Sequence, residues 1–337
     1  MDDSRFIPHP LLRNAHVMTL VPSLRFGRHQ DLRSSAESVL VDVEAGSKIL
    51  IHCHRFSDAA ETPTLVLVHG LEGSSSSPYL LSITAKALAL GFNVVRMNLR
   101  NCGGTLHLSA SLYNAGMSND VITLVDFLRE KKQFSNFYLI GYSLGGNIVL
   151  KAAAELGLDA RKKISGICAV SPSLDLNVCV SAIESGLNRL YEFRFLLGLK
   201  AKIRAKSKLF PGRFDSAKLS KINSLRLFDD TYTAPDAGYS SAMEYYRCAS
   251  SLPMLQQIAV PTLIIAAQDD PIVPFASFLG PELNSEFITL LSPSHGGHGG
   301  FVHQEIEKNK ELLSNDRAWA ENRVLEFCLR DSLRHGL

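Results

Sequence analysis

Gly141, Tyr142, Ser143, Leu144 and Gly145 form a G-x-S-x-G pentad, a spacing that presents a serine hydroxyl for attack on a carbonyl. A serine is a weak nucleophile at its ordinary pKa, so this chemistry needs a general base beside it and a carboxylate to orient that base. Two downstream segments offer both groups. Residues 295–301 read HGGHGGF and residues 268–274 read QDDPIVP. His298 is the expected base, because the glycine pairs flanking it let the backbone fold sharply and bring the imidazole close. His295, nearer the preceding strand, is expected to be structural. Neighbouring residues at a strand end point in opposite directions, so only one of Asp269 and Asp270 can face the imidazole. Pro271 biases the residue before it toward extended backbone, which favours Asp270 with Asp269 as the alternative.

These groups need a scaffold that delivers distant residues to one edge. Short apolar runs alternate with helical periodicities, the signature of a largely parallel sheet with helices on both faces. Strands are expected at residues 38–43, 48–54, 64–68, 92–99, 137–141, 164–170, 260–267 and 287–291, with the first two forming an antiparallel edge. Helices are expected at residues 79–90, 119–131, 146–156 and 316–329. Ser143 then falls at a strand-to-helix turn, as its motif requires, and the chain order Ser, Asp, His is the order an open α/β sheet demands. The fold class is therefore α/β, a mostly parallel sheet of about eight strands within one domain over residues 1–337. Residues 173–257 break the alternation and read as a helical lid inserted over one end of the sheet.

Composition narrows the rest. The 337 residues are 46% apolar and 20% charged, which is globular and leaves no long disordered tract to expect. A net charge of +2 gives no field suited to nucleic acid. Six scattered cysteines without a CxxC pair suit a reducing compartment. The acidic start at residues 1–5 lacks an apolar signal segment, and no apolar run approaches the roughly 20 residues that span a bilayer. A cytoplasmic protein is expected, and the sequence sets no oligomeric state.

In this type of sheet the loop after the third strand, His69-Gly70-Leu71-Glu72-Gly73, supplies one backbone N–H to a tetrahedral oxyanion, and the residue after the nucleophile supplies the other. Leu71 and Leu144 are the expected donors, and His69 is expected to brace the loop. His295, His298 and His303 cluster in sequence, but they straddle a glycine-rich loop and include no HExxH, so neither a metal nor a cofactor is expected.

The same motifs resemble the YheT-like branch of the α/β hydrolases, whose relatives include plant embryogenesis-associated proteins and eukaryotic abhydrolase-domain lipases. The resemblance runs over nearly the whole chain. PLLRNAHVMTL at residues 10–20 is similar to the family's N-x-H-x-x-T segment, and HGLEGS at 69–74 matches. NLRNCGGT at 98–105 is similar to N-x-R-G-C-x-G, and GYSLGGN at 141–147, DDP at 269–271 and GGHGGF at 296–301 match. Residue by residue this supports Ser143, Asp270 and His298, and it implies hydrolysis of a small-molecule carboxylic ester, with acylglycerols or short-to-medium acyl esters as substrates. Asn101 stands where the family has a glycine, and the apolar N-terminal anchor of the eukaryotic lipases is not seen.

Two other readings use the same residues. An acyltransferase or thioesterase would share the triad. A membrane-surface or polyanion-binding module would use the basic insertion, where Lys200, Lys202, Arg204, Lys206 and Lys208 follow at alternate positions; on a helix these wrap around the axis and form no single face. The insertion's Leu190, Phe193, Phe195, Leu196, Leu197 and Leu199 suit either an acyl pocket or ordinary core.

Overall fold

A computed structural model describes residues 6–23, 31–57, 62–309 and 314–334. The N-terminal residues 1–5 read above lie outside them. Eight strands form one sheet in the order β1-β2-β4-β3-β5-β6-β7-β8. These are β1 (Glu37–Glu44), β2 (Ser47–His54), β3 (Pro63–Val68), β4 (Asn93–Met97), β5 (Ser135–Tyr142), β6 (Gly166–Val170), β7 (Thr262–Ile265) and β8 (Ile288–Leu291). β1 pairs antiparallel with β2, and β2 antiparallel with β4; all other pairs are parallel.

The helices of two or more turns are α1 (Ala15–Ser23), α2 (Pro78–Ala89), α3 (Ser118–Lys132), α4 (Leu144–Leu156), α5 (Leu176–Ile183), α6 (Arg189–Leu209), α7 (Ala242–Ala249) and α8 (Trp319–Arg334). Alternate residues of the central strands feed two cores, as period-two side chains must. Val66 and Val68 pack with Leu124, Val125 and Ile148 on one face. Leu65 and Leu67 pack with Ile83, Val324 and Leu325 on the other.

The chain steps from β3 to β4 on one side, then returns to place β5 on the other side of β3. The crevice outside the carboxyl ends of β3 and β5 is thus a topological switch point, where open α/β sheets bind ligands. Between β6 and β7 run α5, α6 and α7 with short helical turns and no strand.

Several expected strands are shorter than their apolar runs, two of them markedly. Residues 92–99 and 260–267 yield only Asn93–Met97 and Thr262–Ile265. Leu99, Ala266 and Ala267 are apolar because they are buried beyond the ladder's end. A hairpin of β9 (Val302–Asn309) and β10 (Ser314–Ala318) was not foreseen, and the last helix begins at Trp319 instead of residue 316. No helix among the described residues is long and apolar enough to cross a membrane.

Candidate active site

Ser143 sits between β5 and α4 with φ +54°, a left-handed conformation that a residue with a Cβ rarely adopts. Neighbours hold it there: Ser143 N–H donates to Val170 O at 2.9 Å, and Ser143 O accepts from Asn147 N–H at 3.1 Å. The flanking glycines are required by close approach. A Cβ on Gly145 would lie 2.4 Å from Val68 O, and one on Gly141 would lie 2.2 Å from Gly145 O. The turn therefore lays α4 directly against β3, with the positive end of the helix beneath the hydroxyl.

His298 and Asp270 meet this serine. His298 Nε2 lies 2.9 Å from Ser143 Oγ, and His298 Nδ1 lies 2.8 Å from Asp270 Oδ2. The Asp270 side chain is 2% exposed, and its other oxygen accepts from Ile272 N–H and Val273 N–H at 2.8 and 2.9 Å. Those bonds fix the carboxylate and leave Oδ2 to hold the imidazole. Asp269 points the other way. Its Oδ2 lies 3.2 Å from His295 Nδ1, and its Oδ1 accepts from Gly297 N–H at 2.9 Å. His303 lies beside the Phe6 ring, 5.9 Å between centroids. The three histidines thus have separate partners, and the described residues contain no metal-holding group of His, Cys, Asp and Glu.

From Gly70 to Gly73 in the loop after β3, one backbone N–H has no acceptor among the described residues. Gly70 N–H donates to Tyr79 Oη, Glu72 N–H to Tyr113 Oη and Gly73 N–H to Gly70 O. Leu71 N–H has no acceptor among the described residues, nor has Leu144 N–H at the start of α4. Both residues line the pocket beside Ser143. His69, fully buried, braces this loop: Nδ1 lies 2.8 Å from Gly70 O, and Nε2 accepts from Leu99 N–H at 3.1 Å. Burial pushes its imidazole down to about 4, so the ring is neutral with its proton on Nδ1.

The pocket holds about 730 Å³ of empty space, counting its open mouth. Its walls come mainly from the chain between β6 and β7, including Val180, Ile183, Phe195, Leu199 and Leu225. The apolar residues singled out on α6 divide. Phe195 and Leu199 line the pocket and Leu196 is buried, whereas Leu190, Phe193 and Leu197 face outward, 73%, 64% and 54% exposed.

The basic run divides likewise. Lys200 donates to Ile222 O, Lys202 pairs with Glu72, and buried Lys206 donates to Ser109 O and Ser111 O; Arg204 and Lys208 are exposed. Burial lowers the Lys206 ammonium to about 8.

Several residues that serve the site were given no such role from sequence. Thr19 Oγ1, on α1, accepts from His298 N–H at 2.8 Å, and His16 Nδ1 lies 3.1 Å from Tyr191 Oη on α6. Asn14 Oδ1 accepts from His16 N–H and Val17 N–H at the start of α1. The N-x-H-x-x-T spacing was the available signal; its three named positions cap α1, join it to α6 and hold the histidine loop. Asn101, where a glycine is usual, has φ +64°. That explains both the usual residue and the tolerance of asparagine, which enters this region more readily than most side chains.

Comparison with known proteins agrees with this architecture. The model of the α/β hydrolase fold family matches residues 63–302. The putative esterase YheT of Escherichia coli strain K12 is 32% identical over 332 residues, covering 96% of this chain and 93% of that protein. The monoacylglycerol lipase of Saccharomyces cerevisiae is 32% identical over 253 residues, 73% of this chain and 56% of that protein. Among solved structures, the Pyrococcus furiosus esterase Pf2001 superposes with a TM-score of 0.56 at 15% identity, covering 90% of this chain and 96% of that one. The chain therefore belongs to the α/β hydrolases, in the branch typified by YheT.

Proposed function

We propose that this protein hydrolyses carboxylic esters of acylglycerol or short-to-medium acyl type through a covalent acyl-enzyme. Ser143 Oγ attacks the ester carbonyl as His298 Nε2 takes its proton, and Asp270 holds the resulting imidazolium. Leu71 N–H and Leu144 N–H stabilise the negative charge that develops on the carbonyl oxygen. His298 then protonates the departing alcohol, activates a water molecule against the acyl-enzyme, and returns the proton to Ser143. No step calls for a cofactor.

The observation that carries this reading is the continuous relay from Ser143 Oγ through His298 to Asp270, at 2.9 and 2.8 Å, opening on an apolar pocket. The named activities of the E. coli and yeast relatives support an ester substrate. The test is turnover of p-nitrophenyl esters of graded chain length, with fluorophosphonate labelling, on wild type and Ser143→Ala. Both turnover and labelling are expected to vanish in the variant. Labelling that persists in Ser143→Ala overturns the assignment.

A further inference from the structure

Glu72 follows Leu71 directly and occupies a left-handed backbone conformation, φ +56°, without being a glycine. Two elements converge on it. Its Oε1 accepts from Tyr113 Oη at 2.6 Å, in the loop after β4, and from Lys202 Nζ at 2.6 Å, on α6. Its own N–H donates back to Tyr113 Oη at 3.2 Å. Lys202 Nζ also lies 4.5 Å from the centre of the Tyr113 ring and 3.4 Å from Cys102 Sγ. The Glu72 and Lys202 side chains are each only 17% exposed, so water screens the pair weakly. α6 approaches so closely that a Cβ on Gly198 would lie 2.1 Å from Glu72 Oε2.

These contacts bear on the neighbouring peptide. The Leu71–Glu72 unit is pinned on its far side by Glu72 N–H, and the disfavoured φ of Glu72 persists because the carboxylate is held from two directions. Leu71 N–H has no protein acceptor among the described residues, and Leu71 lines the pocket beside Ser143. The helix that supplies Lys202 also supplies Phe195 and Leu199 to the pocket wall.

We propose that Glu72 is a positioning residue for the oxyanion hole, and that the Glu72–Tyr113–Lys202 clamp makes the aim of Leu71 N–H depend on the seating of α6. The inference rests on the reading of Leu71 as an oxyanion donor. A lid helix that tethers the hole in this way joins substrate enclosure to transition-state stabilisation. With α6 unseated, the pocket would lose Phe195 and Leu199 from its wall and the oxyanion hole its aim together.

The experiment compares wild type with Glu72→Gln, Lys202→Met, the double variant, Tyr113→Phe and Lys202→Arg, using Lys208→Met on the exposed face of α6 as control. Each is assayed for kcat and KM on a p-nitrophenyl ester and for inhibition by an alkyl trifluoromethyl ketone, which forms a tetrahedral adduct resembling the intermediate. Loss of a whole oxyanion donor costs about 100- to 1,000-fold in kcat. A misaimed donor is expected to cost roughly 10- to 100-fold, with KM within about twofold and the ketone weakened by the same factor as kcat/KM. Lys202→Arg should recover most of the loss, the double variant should be no worse than the poorer single variant, and Lys208→Met should match wild type.

The clamp is refuted if the folded Glu72 and Lys202 variants keep wild-type kcat, if the loss falls wholly in KM, or if the two losses add. Should Lys202→Met fail to fold, Tyr113→Phe decides alone by the same criteria. Ser143→Ala is run in parallel. Turnover that survives it removes the hydrolase reading and the clamp together, whereas full dependence on Ser143 beside unaffected clamp variants removes the clamp only.

Discussion

Thr19 lies 279 residues before His298 in the chain, yet its hydroxyl is the acceptor for the His298 backbone N–H at 2.8 Å. The same hydroxyl donates to Ala15 O at 2.7 Å, so its rotamer is fixed by its own helix. Thr19→Val keeps the branched shape and removes the acceptor. The partly buried N–H it leaves costs about 1–2 kcal/mol, the usual penalty for an unmatched donor in such a setting. If the loop recovers by moving the histidine backbone, the same energy appears in the barrier, because the imidazole must meet Ser143 Oγ and Asp270 Oδ2 at once. At 1.36 kcal/mol per tenfold, kcat then falls about 5- to 30-fold. The melting temperature falls by about 2–4 °C per kcal/mol or somewhat less, given the length of the chain. Thr19→Ser retains the hydroxyl and should lie near wild type in both respects. The measurements are kcat and KM on a p-nitrophenyl ester, with thermal unfolding of the same samples. A Thr19→Val protein with wild-type kcat and wild-type melting temperature would show that α1 does not hold His298.

Two further outcomes follow from neighbouring geometry. Asp270→Asn should lower kcat by about 10,000-fold through the wrong imidazole tautomer, whereas Asp269→Asn, whose partners are His295 and Gly297 N–H, should cost under tenfold; equal losses from the two would refute the division of labour. Stability should fall as pH drops from 6.5 toward about 4, because the unfolded chain protonates His69 first while the buried ring stays neutral. That single residue contributes about 3 kcal/mol, present in full above pH 6.5 and lost through that window. Urea titrations at pH 7, 5.5 and 4 measure it, and a His69→Gln variant with an unchanged pH slope would assign the effect elsewhere, His54 being a second histidine lowered by burial to about 4.

The α/β class and the central strands were legible because both faces of the sheet are covered, which makes strands read as continuous β-branched runs. The strand ends were not, since apolar character outlasts the ladder wherever the chain stays buried past its last rung, as at Leu99 and Ala267. The β9–β10 hairpin is polar along Gln304, Glu305 and Lys308 and carries no period-two pattern to detect. Cations proved hardest to place. Lys202 and Lys206 look in sequence like Arg204 and Lys208, but α6 turns the first two inward at i and i+4 and the others outward. What separates them is the presence of Glu72 and of the Ser109 and Ser111 carbonyls, 95 to 130 residues away in the chain, and no local pattern reports such partners.

The match to the family's sequence model begins at residue 63, after α1 and after the β1–β2 edge. The relay of Ser143, Asp270 and His298 falls wholly within it, but the packing that fixes His298 does not. A Cβ on Gly297 would lie 2.6 Å from Ala15 O, and one on Gly300 would lie 2.2 Å from Met18 O. These glycines therefore do more than let the histidine loop turn: they make room for an N-terminal helix that presses its backbone onto that loop. The requirement runs both ways. With α1 seated, positions 297 and 300 admit no side chain, and with side chains there, α1 and its Thr19 must withdraw and His298 N–H loses its acceptor. The segment 14–19 and the segment 296–300 form one structural unit although nearly the whole domain separates them. A family member lacking the first is expected to carry ordinary residues in the second and to hold its catalytic histidine by other means.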